Sequence, residues 1–261
     1  MILSRRVALD GAYLDELYER IVIRGIEPGV PKENVQSVNR MGGIGKRITA
    51  RYIETMDLTV RFAIDAPKDD LITRRQIWED VISWAMNGKG KWLTVNYILD
   101  RRMFVDRVMH SDPGDFRDWT AEYTITFEAV HVPFWQDEIP TEIAETGTTG
   151  GTYTLPVNGH YRTVVDAEFT NTSGSEMNIF SITAGGNQIA LTGLGLANNK
   201  MLRIHHGTDG LLRITADGTS AYGKQSAGGA TDLYVQPGTA TIVVAAQKSG
   251  NLKVQCYGRY A

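Results

Sequence analysis

The sequence predicts a mainly β protein in two parts. Residues 1–139 read as a strand-rich split-barrel or sandwich domain with one α-helix, and residues 151–261 as an antiparallel β-sandwich of jelly-roll type. Three observations carry this reading. Period-two alternation of apolar and polar residues recurs in both halves, and one segment alone has a helical period. The residue types also segregate. Residues 1–138 hold 19 basic and 22 acidic side chains, against 8 of each in 139–261. All five tryptophans lie in the first part, and 18 of the 27 glycines in the second. One continuous core would not sort residues in this way, and 261 residues exceed what a single core usually organises. Between the parts, Ile139–Gly151 is a Thr/Gly stretch whose polar character predicts a linker over 140–150.

In the first part, Met56, Leu58, Val60, Phe62 and Ile64 alternate with Asp57, Thr59, Arg61 and Ala63, a strand with one buried face. A longer alternation runs from Trp119 through Ala121, Tyr123, Ile125 and Phe127 to Ala129. Shorter strands are expected at Tyr18–Ile26, Arg47–Ile53, Trp92–Tyr97 and Arg102–Val108, with irregular extended segments at Ile26–Arg40 and Asp65–Leu71. The helix follows Asp69 or Asp70, either of which can accept the orphan amide protons of the first turn. Ile77, Val81, Trp84 and Ala85 form its apolar stripe, and Arg74, Arg75 and Asp80 its polar face. Asn87-Gly88 is expected to close it with a left-handed cap. A helix lying across the sheet would bury its tryptophans, and Trp84→Ala would then cost on the order of 3–5 kcal/mol.

The second part carries strand signals throughout. Val165, Ala167 and Phe169 alternate before the turn at Asn171–Gly174, and Met177–Thr183 runs into the hairpin signature Gly185-Gly-Asn187. Leu211–Ala216 stops at Asp217-Gly218. Leu233–Gly238 turns into Thr241–Gln247, and Ser249-Gly-Asn251 is expected to return the chain into Leu252–Tyr257. With a core in each part, residues 1–140 and 150–261 should each unfold cooperatively as separate fragments.

Composition excludes several classes of function. The apolar and aromatic content is too high for a disordered chain. No apolar run approaches the roughly 20 residues of a membrane helix, and the N-terminus lacks the apolar stretch of a signal peptide. A net charge of −3 is no footprint for wrapping a phosphate backbone. The single cysteine, Cys256, closes no intrachain disulfide and founds no thiolate metal site. It alternates with Leu252 and Val254 and reads as a small core hydrophobe.

No catalytic residues, cofactor site or metal site are nominated. Gly42-Gly-Ile-Gly-Lys-Arg47 lacks the spacing of a phosphate loop and reads as a hairpin tip. There is no nucleophile elbow. His110, His131, His160, His205 and His206 have no partner at ligand spacing, and a structural or solvated role is the simpler reading. Asp112, Asp115 and Asp118 fall at every third residue, not the every-second spacing of a calcium loop, and Pro113-Gly114 marks a turn. Tyr153, Tyr161, Tyr222, Tyr234, Tyr257 and Tyr260 are the aromatic faces that could stack a sugar in the second part.

The order of elements in the first 138 residues resembles the N-terminal domain of the distal tail protein (Dit) family of long-tailed bacteriophages. The resemblance rests on the alternating strand at Tyr52–Ile64, the helix around Arg74–Trp84, and the segment Gly90–Val95. It continues through the strand at Arg102–Val108 to the long final strand that ends at Val132-Pro-Phe-Trp135. The second part, with Val235-Gln-Pro-Gly followed by an apolar strand to Val244, is similar to the galectin-like or carbohydrate-module-like sandwich that many members carry. The resemblance implies a structural, non-enzymatic role without cofactors. It implies a hexameric ring at the virion tail tip, assembled in the host cytoplasm between the tail-tube protein and the hub or tail-associated protein. First domains would form the wall of a lumen that DNA only passes through, second domains would project outward, and no membrane would be entered. The alternative readings are a carbohydrate-binding adhesin or receptor-binding protein acting on a host-surface glycan, and another tail-tube-like subunit.

Overall fold

The computed structural model describes residues 5–39, 46–67, 70–111 and 122–261. The chain is mainly β and divides into two compact units, Met1–Trp135 and Gln136–Tyr260.

The first unit contains β1 (Val7–Leu9), β2 (Ala12–Tyr13), β3 (Ile21–Pro28), β4 (Glu33–Asn39), β5 (Lys46–Ile53) and β6 (Met56–Ile64). These are followed by α1 (Leu71–Met86), β7 (Trp92–Val95), β8 (Ile98–Phe104), β9 (Arg107–His110) and β10 (Tyr123–Ala129). One antiparallel sheet has the order β3-β6-β10-β9, a second sheet contains β2-β1-β7-β8, and β4 and β5 pair only with each other. The two strong alternations are the paired centre of the first sheet. Val60 faces Ile125 and Leu58 faces Phe127, all four fully buried, while Thr59 and Thr126 meet on the other face with hydroxyls 3.1 Å apart. Trp119–Ala121 and Asp112–Asp118 lie outside the described residues.

The stretch Arg102–Val108 is two strands, not one. At Val105-Asp106 the chain passes from the sheet holding β7 and β8 to the one holding β9 and β10. The Asp106 carboxylate makes that exit possible, because one oxygen accepts the amides of Val130 and His131 at 2.7 and 3.0 Å.

The helix begins where its cap demands. The Asp70 carboxylate accepts the Thr73 amide at 3.1 Å, and hydrogen bonds from the Thr73 side chain first and this amide second hold its pKa below the ordinary carboxylate value. The cap therefore contributes fully above that ordinary value and is lost as pH falls through the lowered one. Ile77, Val81 and Ala85 are buried as expected, but three side chains are placed differently from the sequence reading. Arg74 is buried on the inner face, donating from Nη2 to the Ala66 carbonyl at 2.7 Å. It lies three residues before Ile77 and so shares its stripe. Trp78 and Trp84 are half-buried at the margins of the stripe. Trp84 packs edge-on to Phe127 at 6.0 Å and donates from Nε1 to the Ala12 carbonyl at 3.3 Å. We therefore expect Trp84→Ala to cost about 2–3 kcal/mol, less than removing a fully buried ring, read as a shift in denaturant midpoint. The left-handed residue after the helix is Gly90 (φ 78°). Gly88 is small for a different reason, since a Cβ there would lie 2.6 Å from Leu9 Cδ1.

From Trp135 onward the strands are β11 (Trp135–Asp137), β12 (Thr141–Val157), β13 (Thr163–Asn171), β14 (Met177–Ala184) and β15 (Asn187–Leu196). They continue with β16 (Met201–His206), β17 (Leu212–Ala216), β18 (Thr219–Ser220), β19 (Tyr234–Val235), β20 (Gly238–Cys256) and β21 (Arg259–Tyr260). The hairpin between β14 and β15 turns at Gly185-Gly186, both at positive φ, as its sequence predicts. Asn171 closes the next expected turn from a fully buried position. Its Nδ2 donates to the carbonyls of Ser175 and Leu196, and its Oδ1 accepts the Ser173 amide.

Two expectations fail in one place. The stretch 140–150 is not a linker: Thr141–Val157 is a single strand paired along its length with β20, interrupted only by register shifts between Glu145 and Gly150. Ser249-Gly-Asn251 is not a turn either, because β20 runs through it for 19 residues. The first half of β20 pairs with β14 and the second half with β13, so a long two-stranded ribbon serves both parts of the sheet. Gly250 allows the passage: a Cβ there would strike the Thr170 carbonyl and the ring of Phe169. Glycine in a strand marks a close backbone approach as readily as a turn. The core of this unit is built around Phe169, Phe180, Leu155, Ile242 and Val254.

Candidate functional site

The described histidines are dispersed. His110 meets the edge of Trp78 at 5.8 Å, and His160 meets Tyr260 at 5.6 Å. The His131 ring lies 2.5 Å from Asp106 Oδ1. Cys256 is buried, and burial, reinforced by the negative charges of Asp137 and Asp166, pushes its thiol up to about 12. Such a thiol is held protonated and is a poor nucleophile. Gly42–Gly45 lie outside the described residues; Lys46 and Arg47 open β5.

Three features stand out. The first is the β4–β5 hairpin, which replaces the irregular segment expected at Ile26–Arg40. Its root is fastened by backbone bonds between Lys32 and both Thr55 and Glu54 (each 2.8 Å), by the Gly29 amide on the Asp57 carbonyl (2.6 Å), and by the Lys32–Asp57 ion pair. Beyond the root it has no third strand among the described residues. Cross-strand register puts Val35 and Ile48 on one face and Val38 and Tyr52 on the other, and all four are more than two-fifths exposed. A two-stranded ribbon is marginal in water by itself, and apolar side chains on both faces suit burial between neighbours.

The second is a pair of clefts in the sandwich. One, of about 570 Å³, is lined by Leu211, Leu212, Arg213, Tyr222, Gln225 and Thr231. The other, of about 360 Å³, lies between Gly186–Ala190 and Ser226–Ala230. Tyr222 is the sugar-stacking candidate that reaches a cleft, its hydroxyl donating to the Leu212 carbonyl. Tyr153 bonds Thr148, and Tyr234 carries the Arg162 guanidinium over its ring at 5.0 Å. These tyrosines do not form one platform.

The third was invisible as a motif. The His206 side chain, 4% exposed, lies between two carboxylates: Nδ1 is 2.8 Å from Asp166 Oδ1 and Nε2 is 2.6 Å from Asp232 Oδ1. The three residues are spread over 66 positions, and no local spacing announces them. Arg259 adds a half-buried cation, lowered by desolvation to about 10 and supported by Asp232 and Asp166.

The architecture is a helix-bearing β unit followed by an antiparallel sandwich. Two solved structures share it along nearly their whole length. The Dit protein (gp 19.1) of phage SPP1, described as a paradigm of the hub adsorption apparatus in phages infecting Gram-positive bacteria, superposes with a TM-score of 0.70 at 11% identity, over 98% of this chain and 99% of its own. A chain of the phage P2 baseplate in its activated conformation superposes with a TM-score of 0.50 at 9% identity, over 97% and 98%. The fold is therefore that of the SPP1 Dit protein. No protein-family model matches the sequence, and no curated protein matches it.

Proposed function

We propose that this protein is a structural subunit of a phage or prophage tail tip, forming a hexameric ring that joins the tail tube to the hub and surrounds the DNA channel. The observation that carries the reading is agreement of fold with the Dit protein of SPP1 over both units and almost every residue of both chains. The β4–β5 hairpin supports it. An arm with apolar side chains on both faces gains its remaining burial from a neighbouring copy, and head-to-tail contacts of this kind close into a ring. No helix of the described residues is long and apolar enough to cross a membrane.

Cryo-electron microscopy of the intact particle tests the proposal. The expected result is six copies in one ring at the tail tip, with Val35, Val38, Ile48 and Tyr52 buried against the adjacent copy. If the chain is missing from the tail tip, or present in a copy number incompatible with sixfold or threefold symmetry, the ring reading is overturned. A glycan array with the full chain then tests the adhesin reading, for which the Tyr222 cleft is the candidate surface.

A further inference from the structure

We propose that Asp166, His206 and Asp232 form a proton-operated latch that holds the segment between β18 and β19 against the sandwich and releases it when His206 loses its proton. The argument begins with donors and acceptors. A neutral imidazole has one N–H, and an ionised carboxylate can only accept. With a carboxylate oxygen 2.8 Å from Nδ1 and another 2.6 Å from Nε2, both hydrogen bonds form only when the ring carries both protons.

Each partner comes from a different element. Asp166 is on β13, Asp232 closes the segment just before β19, and Arg259 comes from β21. Arg162, ahead of β13, lies over Tyr234. From β17 the residue opposite His206 is the uncharged Leu212. The two carboxylates face the cations His206 and Arg259, with Arg162 a third positive charge beside Arg259, and two direct carboxylate bonds are what permit so buried a histidinium. Burial alone pulls the His206 pKa down, but the hydrogen bonds and charges of Asp166 and Asp232 outweigh it, and the pKa is raised.

The two carboxylates are not equivalent. Asp166 is 16% exposed and also accepts the His206 backbone amide at 2.9 Å. Asp232 is 45% exposed. Once the ring is neutral, one nitrogen lone pair faces a carboxylate oxygen, and Asp232 is the group free to turn into water. It takes the segment with it. That segment also rests on β15 through the Ser226 amide on the Ala190 carbonyl and the Ala230 amide on the Gln188 carbonyl, both 2.8 Å, and its start is tied to β17 by the Ala221 amide on the Ile214 carbonyl (2.8 Å) and the Tyr222 hydroxyl on the Leu212 carbonyl. It supplies Tyr222, Gln225 and Thr231 to the larger cleft and Ser226–Ala230 to the smaller one, so release reshapes both. Because the folded pKa is raised, the latch contributes fully below the ordinary histidine value of about 6.5 and is lost as pH rises through the folded value.

The test uses the full chain with ¹⁵N-labelled histidine. The midpoint at which the ring nitrogens of His206 lose the shifts of a protonated imidazole should lie above the ordinary histidine value of about 6.5. Hydrogen exchange of residues 222–231, corrected for intrinsic rates, should be flat at low pH. Protection should then fall by up to about tenfold per pH unit while His206 loses its proton, with β13 and β20 unchanged. Asp232→Asn keeps the shape and should abolish that slope. A His206 midpoint at or below the ordinary histidine value, exchange in 222–231 that ignores pH, or a wild-type slope in Asp232→Asn each overturns the latch. The first two measurements need no variant and decide the matter even if the substitution fails to fold.

Discussion

Replacing Phe169 by alanine should destabilise the second unit by about 3–5 kcal/mol. The ring is fully buried on β13, a strand paired on one side with β16 and on the other with β20. It packs against Phe180 with centroids 5.3 Å apart, a contact that adds about 0.5–1.5 kcal/mol to the burial of the two rings. It also meets Gly250, where the backbone of β20 lies too close to admit a side chain, so the surrounding strands cannot easily collapse into the space left behind. The placement of the tryptophans makes the experiment sharp. All five lie at or before Trp135, so tryptophan fluorescence follows the first unit while far-ultraviolet circular dichroism follows both. The expected outcome is a lower denaturant midpoint for the dichroism transition with the fluorescence transition unmoved. Equal shifts in both signals would mean that the units do not unfold independently, and no shift at all would mean that Phe169 is not in the core.

A fragment beginning at residue 136 should fold, whereas one beginning at 150 should be less stable by on the order of 3–6 kcal/mol and prone to aggregate. The difference lies in β12. Its first residues, Thr141–Glu145, pair with Cys256–Leu252, and Ile143 packs against the core. Cutting at 150 removes a run of ladder bonds worth about 0.5–1.5 kcal/mol each and leaves the second half of β20 as a bare edge, open to pairing with another chain. Urea unfolding of the two fragments, with light scattering for aggregation, distinguishes them. If residues 150–261 match 136–261 in midpoint and solubility, the first half of β12 is dispensable and behaves as the linker its composition suggests.

The sequence by itself determined which residues form the two cores and in what order the elements come. Met56–Ile64, Tyr123–Ala129 and Val165–Asn171 bury alternate side chains because a half-buried strand must, and Asp70 starts the helix because the first amides need an acceptor. These signals are local, with a period of two or of 3.6 residues, and they survive without knowledge of what lies opposite. The Ile77, Val81 and Ala85 stripe even contained the signal for Arg74, whose charge disguised a helical position that geometry places inside.

Tertiary structure alone decided the rest, and each case has the same physical origin. A Thr/Gly stretch is a linker in isolation and a strand when nineteen residues of β20 run beside it, because strand pairing is a property of two segments. Gly250 reads as a turn until the Thr170 carbonyl and the Phe169 ring are placed against it. The apolar residues of β4 and β5 look irregular until the register sets them on the two faces of a two-stranded ribbon. His206 had no ligand-spaced neighbour, yet the fold brings it carboxylates from residues 40 positions before it and 26 after it. A chain's alternation records which side of an element is dry; it does not record which distant partner meets that side, and buried charge is stabilised by partners.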